Sequence, residues 1–167
     1  MRKVTFAPLC LLIILVGFSL ASGQEKKIDR SKLPAAVQAT VDRESAGATI
    51  KGYSKEKEKG VTAYEVEMVM NGKTRDVLID ASGNVLESEQ EVAFESLSPA
   101  VQSAIKDLAG KGTIGVVEST TKNGQIVGYE AHIKGGKHRE VYVGPNGEKL
   151  AREDSGLSAG AHPGRAG

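Results

Sequence analysis

The chain has 167 residues, of which 40% are hydrophobic, 26% charged and only 4% aromatic. Lys and Arg total 22 against 21 Asp and Glu, a formal net charge of +1. No basic surplus is available to hold a polyanion, which argues against nucleic acid as a partner. The length fits one domain, or two small units sharing a core.

Met1-Arg2-Lys3 is a short basic start, residues 4–20 are apolar apart from Thr5, Pro8, Gly17 and Ser19, and Ala21-Ser22-Gly23 precede a polar stretch from Gln24. These are the parts of a secretory signal, and the pattern predicts cleavage after Gly23, with Ala21 as the alternative. The competing expectation is a retained anchor, since the apolar run is nearly long enough to span a bilayer. Cys10 lies inside that run, too early for a lipoprotein cysteine. Cleavage removes Arg2 and Lys3 and leaves 20 basic against 21 acidic residues, a net of −1. It also removes Cys10, the only cysteine, so thiol catalysis, thiolate metal sites and disulfides are excluded from the mature chain. Stability must then come from a packed core, and no stable membrane anchor is expected after cleavage.

An internal match organises the remainder. At an offset of 64, Leu33, Val37 and Gln38 fall on Leu97, Val101 and Gln102, and Thr49-Ile50 falls on Thr113-Ile114. A one-residue shift aligns Tyr64-Glu65 with Tyr129-Glu130. The original offset then returns for Gly72-Lys73-Thr74-Arg75 on Gly136-Lys137-His138-Arg139, Val77 on Val141, Gly83 on Gly147 and Leu86 on Leu150. This reads as a tandem repeat, with a signal peptide over 1–23, a first unit over 24–92, a second over 93–154 and a disordered tail over 155–167, rich in Gly, Ala and Ser.

Each unit reads as one helix and four strands. Residues 33–46 place Val37 and Val41 on one stripe, with Ser31 as the expected cap, Pro34 in the first turn and Gly47 as the stop. Strands are expected over 48–55, 62–68, 75–80 and 84–91, with a charged loop over 55–60 and a hairpin at Asn71-Gly72. In the second unit Ser98 caps a helix carrying Val101, Ile105 and Leu108, and Gly110 ends it. Strands are expected there over 113–121, 125–134, 138–143 and 148–153, with turns at Asn123-Gly124, Gly135-Gly136 and Pro145-Asn146-Gly147. The fold class is α+β: two tandem α-β4 repeats forming one antiparallel sheet with the helices packed on one face.

Leu33-Pro34-Ala35-Ala36-Val37, Tyr64-Glu65-Val66, Gly72-Lys73-Thr74-Arg75 and Asp80-Ala81-Ser82-Gly83-Asn84-Val85-Leu86 resemble the PepSY-like, β-lactamase-inhibitor-like (BLIP-like) secreted domains. The second unit departs from the pattern, with its Pro displaced to Pro99, Gly144 in place of Asp80 and Lys149 in place of Val85. The resemblance spans roughly residues 30–153. It implies a periplasmic or secreted setting and inhibitory or binding roles, and it brings no catalytic motif.

The residues themselves point away from an enzyme. His132, His138 and His162 show no spacing that converges on a metal. Ser31 and Ser98 read as caps, no Gly-x-Ser-x-Gly elbow is present, and neither phosphate-loop fingerprint occurs, so no cofactor is expected. Glu65 and Glu67 share a strand face with Glu130 in the equivalent place. An acid–base pair there requires burial or a cleft to separate the two pKa values, and a solvated face with cross-strand partners Lys73, Arg75, Lys137 and Arg139 is the plainer reading. If Val77, Ile79, Val141 and Val143 face the helices, Leu78 and Tyr142 face away. An exposed apolar pair ringed by Glu65, Glu67, Glu130, His132 and Arg139 then forms a candidate protein-binding face. Singly exposed apolar residues are also ordinary. The chain is therefore read as an exported non-enzymatic binding module, an inhibitor-like protein whose open sheet face contacts an enzyme in the cell envelope or outside the cell. The alternative is an envelope sensor or a protein binding a small ligand or cation, and a hydrolase is the third class.

Overall fold

The structure, a computed structural model, describes residues 26–58 and 61–151. The expected signal segment over 1–23, the tail over 155–167 with His162, and the Lys59-Gly60 hairpin tip lie outside the described residues. Nine strands form one antiparallel sheet in simple sequence order: β1 (Lys26–Lys27), β2 (Thr49–Glu58), β3 (Val61–Met70), β4 (Lys73–Asp80), β5 (Val85–Val92), β6 (Thr113–Lys122), β7 (Gln125–Lys134), β8 (Glu140–Val143) and β9 (Lys149–Leu150). Helix α1 (Ala35–Glu44) lies between β1 and β2, and α2 (Pro99–Ala109) between β5 and β6. A 3₁₀ turn leads into each, Arg30–Lys32 and Phe94–Ser96. The α+β class and the single antiparallel sheet follow the expectation from the sequence.

Asn71 and Gly72, with φ of 52° and 77°, and Asn123 and Gly124, with φ of 50° and 75°, turn β3 into β4 and β6 into β7. Two consecutive positive φ values match the twist of the flanking strands, which is why Asn-Gly marks these hairpins. The turns after β4 and β8 serve a second purpose. Gly83 and Gly147 have φ of 88° and 89°, and a Cβ on either would stand 2.8 Å from the carbonyl oxygen of Ala36 or Ala100. Each glycine thus lets a turn close against the first turn of a helix. The paired glutamines have a matching reason: Gln38 Nε2 donates to the Leu33 carbonyl and Gln102 Nε2 to the Leu97 carbonyl, both at 2.9 Å.

Register fixes the two faces. Val77 opposes Val66 and Ser88, Ser88 opposes Thr121, Val92 opposes Val117 and Val117 opposes Ala131, so all of these side chains share one face. That face carries both cores. Leu33, Val37 and Val41 meet Tyr64, Val66, Met68, Val77 and Ile79. Leu97, Val101, Ile105 and Ala109 meet Val117, Ala131, Ile133, Val141 and Val143. Both helices therefore cover the same side of the sheet, and burial of each Val, Leu, Ile or Met side chain there contributes about 1.5–3 kcal/mol.

Several local expectations are corrected. α1 is shorter than 33–46, and Ser31 lies in the 3₁₀ turn, while the N-cap is Pro34 without a side-chain cap. Ser98 does cap α2, accepting from the Val101 N–H at 3.4 Å. The charged run expected as a loop continues β2 through Glu58: Lys55 opposes Tyr64 and Glu56 opposes Ala63. Alternating Lys and Glu send opposite charges to opposite faces, and Lys55 Nζ lies 5.9 Å from the Tyr64 ring centre. β1 adds a ninth strand, and β8 and β9 are shorter than expected. Among the described residues no helix is long and apolar enough to cross a membrane.

Candidate functional site

The helix-free face is acidic. Following the register, it carries Glu56 on β2, Glu65 and Glu67 on β3, Asp76 on β4, Glu87, Glu89 and Glu91 on β5, Glu118 on β6, Glu130 on β7 and Glu140 on β8. The basic side chains among them are Lys27 on β1, which opposes Ser54, then Lys122 and His132, with Lys134 at the end of β7. In one row Glu91 opposes Glu118, and Glu118 opposes Glu130. In the next, Glu67 opposes Asp76, Asp76 opposes Glu89 and Glu89 opposes Thr120. Like charges directly opposite across strands destabilise a sheet, so this face is not what folding alone would select.

The acids are also less hydrated than alternation implies. Glu118 is 3% exposed, and Glu56, Asp76 and Glu87 are buried as well. Internal partners serve part of the charge. Lys122 Nζ lies 2.8 Å from Glu87 Oε2, the Ser54 hydroxyl lies 3.1 Å from Glu65 Oε2, and the Thr74 hydroxyl lies 3.1 Å from Glu118 Oε1 and 3.3 Å from Glu91 Oε2. Buried carboxylates hold their ionised form only with such hydrogen bonds or cations nearby.

His132 is the centre of the second half of this face. It opposes Glu140, and its Nε2 stands 3.5 Å from Glu118 Oε2 and 3.7 Å from Glu130 Oε1. Hydrogen bonding to Glu118 raises its pKa above the ordinary imidazole value; burial opposes this, and the fields of Glu130, Glu118 and Glu140 add to it. Tyr142 donates its hydroxyl to Glu140 Oε2 at 2.9 Å. One donor atom from each of Glu130, His132 and Glu140 lies within 4.8 Å of the others.

Of the residues singled out from the sequence, Leu78, Tyr142, Glu65, Glu67, Glu130 and His132 do share the helix-free face. Leu78 and Tyr142 are not exposed, however: each is 8% accessible, Leu78 between Glu65 and Glu87 and Tyr142 between Glu130 and Leu150. Arg139 lies outside the row, exposed in the link between β7 and β8, where its carbonyl accepts from the Ile133 N–H. Arg75 faces the helices and pairs with Glu44 at 2.8 Å, so it is not a cross-strand partner of the acids. His138 is exposed and apart from His132 in the β7–β8 link. The residues missed from the sequence are Glu118, Glu140, Glu91 and Thr74. Each meets the row through strand register, and only the alternation of β5, with Glu87, Glu89 and Glu91 two apart, signalled an acidic face in advance.

No protein-family profile matches the chain, and no curated protein is similar to it in sequence. Solved structures do share the fold. A DUF2874 family protein from Bacteroides ovatus superposes with a TM-score of 0.55 at 18% identity, over 71% of this chain and 85% of that one. A BLIP-like protein from Bacteroides fragilis gives 0.52 at 24% identity, over 71% and 84%. A candidate periplasmic protein from Bacteroides eggerthii gives 0.58 at 18% identity, over 71% and 86%. At these identities the likeness is one of fold.

Proposed function

We propose that this chain is an exported, non-enzymatic binding module of the BLIP-like and PepSY-like type, built from two copies of one helix-plus-four-strand unit. It receives the cationic surface of a protein in the periplasm or outside the cell on its acidic, helix-free face. The observation that carries this reading is the pair of carboxylate rows, Glu91–Glu118–Glu130 and Glu67–Asp76–Glu89. Rows of this kind cost folding stability, and a Lys- or Arg-bearing partner offsets that cost on binding while gaining affinity and on-rate from complementary charge. Leu78 and Tyr142 supply one apolar floor residue in each half of the face.

Support for export comes from the signal-like residues 1–23 and from the fold shared with a candidate periplasmic protein. Support for a binding role comes from the fold shared with a BLIP-like protein. An inhibitor is the sharper form of the reading: a partner enzyme would lose activity when this face covers its active-site rim.

The test is capture from an envelope extract by the purified chain, beside a Glu67→Gln/Glu89→Gln variant whose circular dichroism matches the parent. A partner that binds the parent, is weakened in the variant, and is released at about 1 M salt, where the screening length falls to about 3 Å, supports the reading. A partner held equally by both proteins at high salt places recognition on the helices or the hairpins instead and refutes the acidic face.

A further inference from the structure

We propose that Glu130, His132 and Glu140, with Glu118 as a fourth donor, form a binding site for one divalent transition-metal ion of the zinc class. The inference goes beyond the partner reading and stands without it.

Register brings the donors together. His132 and Glu140 are direct neighbours across β7 and β8, Glu130 lies two residues along β7 on the same face, and Glu118 is opposite Glu130 on β6. Three adjacent strands thus hold four donors on a rigid sheet rather than on loops. A tetrahedral ion held at about 2.0–2.1 Å sets its donors about 3.4 Å apart. His132 Nε2 already stands 3.5 Å from Glu118 and 3.7 Å from Glu130, close to that donor spacing. One donor atom from each of Glu130, His132 and Glu140 lies within 4.8 Å of the others.

Two acids also carry the outer partners that orient ligands in metal sites. The Thr74 hydroxyl lies 3.1 Å from Glu118 Oε1, and the Tyr142 hydroxyl donates to Glu140 Oε2.

The donor set selects the class of metal. Calcium and magnesium take oxygen ligands alone, whereas one imidazole with carboxylates suits zinc and its first-row neighbours. The corresponding places in the first half are Glu65, Glu67 and Asp76, all oxygen donors, so one site is expected and not two.

The experiment is calorimetric titration of the purified chain with zinc chloride and, separately, calcium chloride. It is repeated on His132→Gln and on a His138→Gln/His162→Gln control, and cobalt(II) is added to the parent to read its visible d–d bands. Expected are one zinc per chain, cobalt bands typical of nitrogen and oxygen donors in four- or five-coordination, and a loss of affinity of about 100-fold or more in His132→Gln with little change in the control. Zinc-dependent change at His132 in ¹H–¹⁵N spectra of the parent gives the same reading without any variant. Absence of zinc binding, equal affinity in His132→Gln, or loss in the His138/His162 control overturns the proposal. None of these results depends on partner capture, so the failure of either reading is separable from the other.

Discussion

In the first half of the sheet Ser54, Glu65, Glu67 and Asp76 lie beside Leu78. In the second half the corresponding places hold Glu118, Glu130, His132 and Glu140 beside Tyr142. On the opposite face the same comparison keeps apolar character throughout: Leu33 with Leu97, Val37 with Val101, Tyr64 with Tyr129 and Val77 with Val141 are identical, while Val41, Val66, Met68 and Ile79 are exchanged for Ile105, Ala131, Ile133 and Val143. The helix face is constrained by packing density, which admits few shapes. The other face carries the acids around Leu78 and Tyr142, and there the corresponding places differ in chemical type, with His132 in the second half where the first has Glu67. Turns show the same freedom within a fixed geometry. Asp80 accepts from the backbone N–H groups of Ser82 and Asn84 at 2.8 and 2.9 Å, whereas the second half has Gly144 and brings Glu148 over instead to accept from the Asn146 N–H at 3.1 Å. A Cβ at Gly144 would fall on the Glu148 carboxylate, 2.2 Å from its Cδ, so a larger residue there displaces that side chain from the turn.

The comparison breaks most easily at the helix face. Ile105 is fully buried where the first half has Val41. Ile105→Ala is expected to cost about 2–5 kcal/mol by urea denaturation, and Ile105→Val only about 0.5–1.5 kcal/mol, since the smaller side chain reproduces the first half. Equal losses for the two would show that the helix over this half is loosely seated. A smaller effect separates the helix starts. Ser98→Ala removes a cap and is expected to destabilise by about 1 kcal/mol, while Ser31→Ala, in a 3₁₀ turn with no capping bond, is expected to be neutral. A matched loss at Ser31 would mean that the 3₁₀ turn is itself a cap.

Much of this fold was legible because its signals are local. Asn71-Gly72 and Asn123-Gly124 specify their own backbone, and the alternation of Tyr64, Val66 and Met68 sets one face of β3 without reference to any other strand. The errors have equally physical sources. Lys55 to Lys57 contains no apolar residue, so its alternation carries no hydrophobic signal even though it orients charge by face. Leu78 and Tyr142 face away from the helices, as the pattern required, yet they are buried between long side chains on the neighbouring strands, Glu65 and Glu87 for Leu78, Glu130 and Leu150 for Tyr142. The His132 cluster was hidden for a third reason. Its members lie 8 to 14 residues from His132 in the case of Glu140 and Glu118, and only the register of three strands brings them together.

The finest distinction between the halves is in their response to pH. His132 has a pKa above the unfolded value of about 6.5, through Glu118 first and the fields of Glu130 and Glu140 after it. A raised folded pKa means that the folded chain binds the proton more tightly than the unfolded one. The stabilisation is therefore complete below the unfolded value and is lost as pH rises through the folded value. Metal-free parent protein is expected to lose stability relative to His132→Gln over that interval, and the two unfolding curves run parallel at higher pH. Asp80 gives the opposite sign. Hydrogen bonds from Asn84 hold its carboxyl below the ordinary range, so its contribution is present above the unfolded carboxylate value and fades as pH falls through the folded one. Denaturant midpoints of the parent, His132→Gln and Asp80→Asn from acid to mildly alkaline pH separate the two contributions. A His132→Gln profile parallel to that of the parent through neutral pH would mean that the acids around His132 do not hold its proton, and that the second half differs from the first in composition but not in charge.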